Sequence, residues 1–477
     1  MSFGSPVFIF FYLPIFFAIY LAAPAGWRNG LLRNGLLMLA SLLFYWVDAG
    51  ALCWILVASV VVNQIIAVYI ADTSIEARRT ALLCVGVTLN LLPLIYYKYW
   101  VFLMQSMPAS LVGLLSGIGI PVENILLPAG ISFFTFQGIS YIVDVYRRDV
   151  RPTQSMVDFG MYHTLFPQLI AGPIVRYAEV QHQIRKRWSS LTDIHTGIVL
   201  FCLGLGCKII IADNAGFVAD KVFLSPAATM TLGDAWLGIG AYTLQIFFDF
   251  SGYSTMAIGL GRMLGFRFPQ NFEQPYRSQS ITEFWRRWHM TLSRWFRDYL
   301  YIPLGGNRAG PARTYVNLAI VFALCGLWHG AAVTFLIWGL WHGLLLVLER
   351  LLQHRFGWSP SGLAGWALTL LLVMIGWVFF RAPTIDAALS YLSTMAGGGR
   401  VGLSDAIWLI MTPNRITFLI VGAVIALSAY NVARLELEDG LGRWRLAAIN
   451  AGALVVFVYS LSLIATNGFN PFIYFRF

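Results

Sequence analysis

Two histidines could carry the chemistry of this sequence. His329 lies in an apolar stretch, residues 315–349, whose other ionisable members away from its ends are Cys325 and His342. An ionisable side chain inside such a stretch is costly, which favours a functional role. Desolvation favours a neutral imidazole, and a neutral imidazole can take a proton from a hydroxyl group as a general base. The structural alternative is a buried histidine that only bonds a backbone carbonyl.

The neighbours of His329 suggest two further roles. His342 lies in a similar motif, Trp-His-Gly at 341–343, and we expect it to be structural. Cys325 precedes His329 by four residues, so a helix would place both on one face. This spacing allows a Cys–His nucleophile pair, but no other feature favours a thiolate. The cysteines all lie in apolar runs and form no CxxC pair, so we predict neither a disulfide framework nor a metal site.

The second histidine, His289, lies in the segment SITEFWRRWHMTLSRWFRDYLY at 280–301. Ser280 and Glu283 have capping-box spacing, which predicts a helix start. Aromatic and apolar residues recur at steps of three and four and predict one face of this helix: Trp285, Trp288, His289, Leu292, Trp295, Phe296 and Tyr299. The other face holds Arg286, Arg287, Arg294 and Arg297.

Helices of this kind lie at a membrane interface. The simplest interpretation is that this one anchors the protein, with its arginines reaching lipid phosphates. That interpretation leaves His289, on the aromatic face, without a role. The sequence PLGGN at 303–307 predicts a turn after the helix.

Membrane-spanning helices must position these residues. The 477-residue chain is 58% hydrophobic and 11% charged, with a mean hydropathy of +0.70, whereas a soluble domain has roughly 25% charged residues. Residues 7–23 and 51–71 carry no charge at all, and a spanning helix needs about 20 such residues. The composition excludes a soluble protein and predicts an all-α polytopic membrane protein.

We expect about 11–12 spans in one membrane-embedded domain over residues 1–477. They lie near 7–24, 34–48, 51–70, 81–97, 125–145, 197–212, 233–262, 315–330, 332–349, 363–380, 414–432 and 446–466. Residues 100–120 suggest a broken or surface-lying segment, and 159–175 a re-entrant element. The first span is predicted to be retained, because residues 1–6 lack the basic region of a signal peptide.

Basic residues orient these spans. The clusters around Arg28 and Arg33, 147–151 and 176–187 fall on one side if the N-terminus is outside, and the positive-inside rule makes that side cytoplasmic. The largest basic block, residues 262–313, has nine arginines against three acidic residues, so it holds +6 of the chain's formal +10. It should face the cytoplasm and attract anions.

Several motifs resemble one known family. They are FPQLIAGPIVR (166–176), FDFSGYS (248–254), PQNFEQPYRSQSITEFWRRWHMTLSRWFRDYLYIPLGGNR (269–308) and GLWHGAAVTFLIWGLWHG (326–343). They look like the membrane-bound O-acyltransferases that acetylate bacterial polysaccharides such as alginate. D-alanyl transfer proteins for teichoic acids are more distantly similar. The resemblance is dense from about 125 to 350, and weaker at the N-terminus and at the closing NPFIYFRF.

The resemblance implies a helical bundle around a central tunnel, with a cytoplasmic acyl donor entering from one side and the acceptor from the other. It implies that His329 is catalytic and that His289 is the second essential histidine. We assign donor binding to the basic helix and its surroundings: Arg286, Arg287, Trp288, Arg294, Arg297 and Asn271. One departure is Thr255, where the family pattern often has an acidic residue after FSGYS, so the role of that acid is in doubt here.

The expected function is O-acyl transfer from acetyl-CoA, with no bound cofactor and no metal. We expect a multi-pass protein of the bacterial inner membrane that passes the acetyl group to a periplasmic acyltransferase partner, within a polysaccharide biosynthesis complex. Alginate or cellulose would be the final polymer. The protein would be embedded in the lipid bilayer and would bind no nucleic acid. The alternatives are D-alanyl or other acyl transfer, a transporter, and a non-catalytic export scaffold. A transporter is disfavoured because no inverted repeat of spans is evident.

Overall fold

The computed structural model describes residues 1–22, 30–119, 122, 125–226, 228–308, 310–429, 431–437, 442–468 and 470–473. Arg28, the end of the first predicted span and residues 474–477 of the closing motif lie outside these ranges. The described residues form helices joined by turns, and no β-strand occurs among them. The predicted all-α fold class is confirmed.

The described α-helices run in chain order as follows: α1 (Leu13–Ala22), α2 (Leu31–Ala49), α3 (Cys53–Asp72), α4 (Glu76–Leu94), α5 (Trp100–Gln105), α6 (Ala109–Gly117), α7 (Ile131–Arg147), α8 (Met156–Thr164), α9 (Phe166–Leu169), α10 (Tyr177–Arg185), α11 (Leu191–Gly206), α12 (Asp213–Phe223), α13 (Leu232–Met263), α14 (Ile281–Arg287), α15 (Met290–Phe296), α16 (Gly310–His329), α17 (Val333–Phe356), α18 (Gly362–Arg381), α19 (Ile385–Ser393), α20 (Asp405–Ile410), α21 (Pro413–Leu427) and α22 (Arg443–Asn467).

Within the described ranges, seven helical segments are long and apolar enough to cross a membrane: Leu31–Asp72, Glu76–Gln105, Leu191–Phe223, Gly310–His329, Val333–Phe356, Gly362–Arg381 and Arg443–Thr466. Two shorter apolar helices, Phe8–Ala22 and Pro413–Leu427, coincide with further predicted spans. The protein is therefore a multi-pass membrane protein, as predicted. The number of 11–12 spans stays a prediction.

The chain divides into two compact units. The first comprises Met1–Gly197 with Ala257–Pro269, and the second comprises Ile198–Met256 with Gln270–Phe477. Helices α11 and α13 each contribute residues to both units. The assignment of residues 1–477 to one domain stays a prediction.

The first unit has an aromatic core around Phe166. The ring of Phe166 lies 5.4 Å from Phe16, 5.5 Å from Tyr12 and 5.6 Å from Phe44, measured between centroids. Phe166 follows directly on the break between α8 and α9, and every residue from 159 to 175 is buried. Broken helices are tolerated at membrane depth only where protein covers them, so this burial fits the re-entrant element predicted there.

The second unit contains the antiparallel pair α16 and α17, joined by residues 330–332. Two glycines let these helices approach closely. A Cβ atom at Gly326 would lie 2.3 Å from the carbonyl oxygen of Phe335, and one at Gly339 would lie 2.1 Å from that of Phe322. Small residues permit such contacts between membrane helices. The pair ends at His329, so its packing positions that residue.

Candidate active site

His329 is the last residue of α16, and 3% of it is exposed. Three aromatic rings surround its imidazole. The centroids of Trp328 and Trp338 each lie 4.9 Å away, and that of Phe380 lies 5.2 Å away. These rings come from α16, α17 and α18. These rings bury the imidazole where three helices meet, so His329 lies at a helix end where the backbone enters the turn of the hairpin.

His289 interrupts the helix that was predicted over 280–301. The predicted start is confirmed, because the Ser280 hydroxyl accepts a hydrogen bond from the Glu283 backbone N–H at 3.1 Å. The prediction of one continuous helix is wrong. Helix α14 ends at Arg287 and α15 begins at Met290, and between them His289 adopts a left-handed conformation with φ 41° and ψ 55°.

The break has a visible cause. The backbone N–H of Met290 donates to the carbonyl oxygen of Asn271 at 2.9 Å, so this donor is drawn outside the helix. Left-handed backbone is costly for a residue with a Cβ atom and persists only where the surroundings enforce it. Such strained residues cluster at functional sites, which favours a functional role for His289.

Asn271 also determines which nitrogen of His289 carries the proton. Its carboxamide oxygen lies 3.0 Å from Nδ1 of His289, and it also accepts from the hydroxyl and the backbone N–H of Thr291, at 2.9 and 3.4 Å. The backbone donor identifies this atom as the oxygen of the amide. Because a carbonyl oxygen only accepts, Nδ1 must donate, and Nε2 keeps its lone pair.

The protonation state of His289 follows from its burial. The residue is fully buried, and burial lowers its pKa to about 3 from its ordinary value. It is therefore neutral at cellular pH. A neutral imidazole with Nδ1–H fixed presents Nε2 as a hydrogen-bond acceptor.

Trp328 contacts both histidines. Its ring centroid is 4.9 Å from that of His329 and 5.9 Å from that of His289. The second unit thus brings the two histidines that the sequence singled out into contact with one indole. Trp328 belongs to the motif of His329, but nothing in the local sequence indicates its contact with His289.

His342, on α17, contacts two aromatic residues of α14. The indole N–H of Trp285 donates to Nδ1 of His342 at 3.3 Å, and the ring of Phe284 stacks on the imidazole at 5.9 Å. Trp338, which also contacts His329, lies 5.2 Å from His342. These contacts fit the structural role expected for His342.

The residues assigned to donor binding separate into two groups. Trp288 and Asn271 are each 1% exposed and lie with the histidines; Trp288 packs against Trp377 at 4.9 Å. The arginines lie on the other face, where Arg286 and Arg297 are exposed and Arg287 and Arg294 are half-buried. Arg287 pairs with Glu283 at 2.6 Å, and Arg297 with Asp298 at 2.6 Å. The predicted segregation of aromatic and basic faces is confirmed, and donor binding stays a prediction.

The sequence also singled out Cys325, on the helix of His329, and Thr255, on the helix that carries FSGYS. Cys325 is buried one turn before His329, on the same helix, as its spacing predicts. The Thr255 hydroxyl donates to the carbonyl oxygen of Ser251 at 2.8 Å, in α13. No group of three or more metal-ligating side chains occurs in the described part of the chain.

Sequence reasoning missed a buried ion cluster in the second unit. Lys208, 2% exposed, places Nζ 2.6 Å from Asp213 and 2.8 Å from Asp249. Asp249 also accepts from the backbone N–H of Ile473 at 2.8 Å. The signal was available, because a lysine within an apolar span needs a partner. Sequence reasoning also missed Trp338, Trp377 and Phe380, whose roles depend on three helices meeting.

Comparisons with known proteins show the family to which the chain belongs. A model of the membrane-bound O-acyltransferase family matches residues 151–380, which contain both histidines. A probable alginate O-acetylase of Pseudomonas putida is 40% identical over the full length of both chains. A peptidoglycan O-acetyltransferase of Helicobacter pylori is 36% identical over 84% of this chain and 81% of its own.

A teichoic acid D-alanyltransferase of Bacillus subtilis is 30% identical over 63% of this chain and 76% of its own. All three relatives are named as transferases of acyl groups. The 40% identity over the full length of the probable alginate O-acetylase confirms the resemblance seen in the motifs. A polytopic helical fold, a matching family model and these relatives lead to one conclusion: the chain belongs to the membrane-bound O-acyltransferase family and is an O-acyltransferase.

Proposed function

We propose that this enzyme transfers an acetyl group from acetyl-CoA to a hydroxyl acceptor, with His329 as the general base. The observation that carries the proposal is the burial of His329 in an aromatic cage that includes Trp328, whose ring also contacts His289. A water-excluded imidazole at a helix end suits proton abstraction from a hydroxyl group. The relatives named as O-acetyl transferases support the same reaction class.

In the proposed reaction, His329 takes the proton of the acceptor hydroxyl as its oxygen attacks the thioester carbonyl. A new ester C–O bond forms, the thioester C–S bond breaks, and the sulfur leaves as the thiol after taking the proton back. His289 keeps a lone pair at Nε2 and contributes by accepting a hydrogen bond from the donor or the acceptor. It is held for this by Asn271.

The donor would approach from the cytoplasm. Coenzyme A is anionic, and residues 262–313 carry a formal charge of +6, so this block would attract its phosphates. We assign this attraction to Arg286, Arg287, Arg294 and Arg297. Asn271 would act at the buried end, where it bonds His289, together with Trp288, which precedes His289 and shares the contact of Phe272.

The final acceptor is proposed to be a bacterial exopolysaccharide, with alginate supported by the names of the closely similar relatives and cellulose as another candidate. The acetyl group would cross the inner membrane and pass through a periplasmic acyltransferase partner. D-alanyl transfer is the second candidate, supported by the similarity to a teichoic acid D-alanyltransferase.

The decisive experiment supplies acetyl-labelled acetyl-CoA to the purified enzyme and measures thioester consumption and transfer. We expect His329→Ala to abolish both while the protein stays folded. His354→Ala is the matched control, because it removes an exposed histidine from the neighbouring helix α17. Undiminished consumption by a folded His329→Ala protein would disprove the catalytic assignment.

The same assay separates the alternatives. A D-alanyl donor used in place of acetyl-CoA would favour D-alanyl transfer. Polymer export that depends on the protein but survives His329→Ala would favour a transporter or a scaffold. Single cysteines placed in 300–308 should react with a membrane-impermeant probe from the cytoplasm only, and labelling from outside would reverse the proposed donor side.

A further inference from the structure

The first unit contains a large basic cavity that has no role in the proposed reaction. It has a volume of about 1010 Å³ and is lined by Gly30, Leu31, Gln154, Ser155, Arg185, Lys186, Arg187 and Trp188. Its wall joins the start of α2, the turn before α8 and the end of α10. Three consecutive cationic residues on one wall call for an anionic ligand.

The exposed part of the wall can reach a ligand directly. Arg185 and Lys186 are exposed, and Arg185 also pairs with the buried carboxylate of Asp158 at 2.5 Å. The opposite wall provides the polar side chains of Gln154, which is exposed, and Ser155. Cations with polar donors are the groups that bind phosphate oxygens.

Two buried guanidinium groups strengthen the positive field behind this wall. Arg187 and Arg33 are 6% and 8% exposed, and Nη1 of Arg33 donates to the carbonyl oxygen of Arg187 at 3.2 Å. Arg187 donates to Asn34 and Tyr20, yet its Nη2 finds no hydrogen-bond partner within the described ranges. Arg185, Lys186 and Arg187 thus line the cavity with Arg33 behind them, and the ion pair seen here is the one between Arg185 and Asp158. Partly buried charges are screened little by salt.

The rim of the cavity has the character of a membrane interface. Trp188 is 72% exposed and Leu31 is 54% exposed, and Leu191 lies just beyond the rim with 86% of its surface exposed. Tryptophan is enriched at the headgroup level of membranes, and clusters of cations on the cytoplasmic side attract anionic lipids. The positive-inside orientation places residues 176–187 on that side.

We propose that this cavity binds the phosphate of an anionic phospholipid headgroup. Lys186 and Arg185 would contact the phosphate oxygens, Gln154 and Ser155 the polar remainder of the headgroup, and Trp188 and Leu31 the first carbons of the acyl chains. The proposal does not depend on the identity of the acyl donor or the acceptor. A phosphate of coenzyme A has the same chemistry, and the test separates the two sources.

The test is native mass spectrometry of the detergent-purified enzyme, titrated with phosphatidylglycerol or with phosphatidylcholine of the same chains. We expect one tight phosphatidylglycerol site, which Lys186→Glu weakens by at least about tenfold. Lys186 is exposed, so its replacement leaves the Arg185–Asp158 pair in place. Arg78→Glu, an exposed charge reversal in the same unit and on the same predicted side, should leave binding unchanged.

Three results would overturn the proposal. Equal binding of phosphatidylcholine would show that charge plays no part, and unchanged phosphatidylglycerol binding by Lys186→Glu would place the lipid elsewhere. Displacement of phosphatidylglycerol by coenzyme A, with coenzyme A binding also lost in Lys186→Glu, would assign the phosphate to the nucleotide. Acetyl transfer is measured separately, so failure of the lipid site and failure of the proposed function give different results.

Discussion

The carboxamide oxygen of Asn271 lies 3.0 Å from Nδ1 of His289, and this contact determines the tautomer of a fully buried imidazole. Asn271 also holds the start of α15, because its carboxamide oxygen accepts from Thr291 and its backbone carbonyl oxygen accepts from the N–H of Met290. Asn271 therefore links the strained conformation of His289 to its chemistry. It is a positioning residue, and its loss should change how His289 acts.

Replacing Asn271 by leucine should lower the transfer rate by about 10- to 100-fold, the range seen when groups that orient a functional histidine are removed. Leucine has a similar volume but leaves Nδ1 without its acceptor. The measurement is kcat and KM for acetyl-CoA, with a melting curve to check folding. Ser254→Ala is the matched control, because Ser254 contacts only the amide nitrogen of Asn271, at 3.2 Å. Equal losses in both variants would contradict the tautomer argument.

The sequence was informative wherever a local pattern carried the answer. The capping-box spacing of Ser280 and Glu283 predicted the start of α14. The aromatic pattern predicted the burial of Trp285, Trp288, His289, Leu292, Trp295 and Phe296, whereas Tyr299 is only half-buried. Long uncharged runs predicted the spanning helices. These features depend on neighbours in sequence, so they are readable without a fold.

The sequence did not predict the features of the site that depend on contacts between distant residues. Nothing local to SITEFWRRWH signals that the backbone will turn left-handed at His289, because the cause is Asn271, 18 residues away. The cage of His329 needs Trp338 and Phe380 from two other helices. The sequence places Asn271 among the donor-binding candidates but does not show these contacts.

Trp328 should influence the reaction through both histidines. Replacing it by leucine removes the ring that lies 4.9 Å from His329 and 5.9 Å from His289, and leaves a gap in which both imidazoles can move. We expect kcat to fall at least about tenfold, and Trp328→Phe to retain more activity because it keeps a ring there.

The control for this effect is Trp341→Leu, in the second Trp-His-Gly motif. The indole of Trp341 donates to the carbonyl oxygen of Leu372 at 3.0 Å and belongs to the α17–α18 contact. A general packing defect would lower activity in Trp341→Leu as much as in Trp328→Leu. A loss confined to Trp328→Leu would support a role for its contacts with both histidines.

Gly339 should tolerate no side chain. A Cβ atom there would lie 2.1 Å from the backbone oxygen of Phe322, so Gly339→Ala must push α16 away from α17. We expect a destabilised protein and a loss of activity together, because the pair positions His329. Gly240→Ala, where a Cβ atom meets nothing within 4 Å, should be neutral. Thermal unfolding in detergent and the transfer assay measure both effects.

Acid should destabilise the protein partly through His289. Its folded pKa of about 3 lies below the ordinary value of about 6.5, so the unfolded chain binds more protons between these values. Stability from this group is therefore fully present above about pH 6.5 and is lost progressively as the pH falls towards about 3. At about pH 5 the loss amounts to about 2 kcal/mol.

The check is to compare the pH dependence of unfolding in the wild type and in His289→Gln. Glutamine does not titrate, so the variant should lose less stability between about pH 7 and about pH 5, whatever its absolute stability. His354→Ala, which removes an exposed histidine, should keep the wild-type slope. A variant slope equal to that of the wild type would show that His289 is already accessible to protons.

Lys208 offers a test of the buried ion cluster. Lys208→Met leaves Asp249, 2% exposed, without its cation, and breaking a buried pair in this way costs about 3–5 kcal/mol. Adding Asp249→Asn should recover most of that loss, because the amide is uncharged and its oxygen can still accept from Ile473.

Arg434→Met is the control. It breaks an ion pair whose side chains are 59% and 34% exposed, and it should cost only about 0–1 kcal/mol. Unfolding by detergent titration ranks the three variants. If the double variant is no more stable than Lys208→Met, the loss comes from packing around the lysine stem instead of from an uncompensated charge.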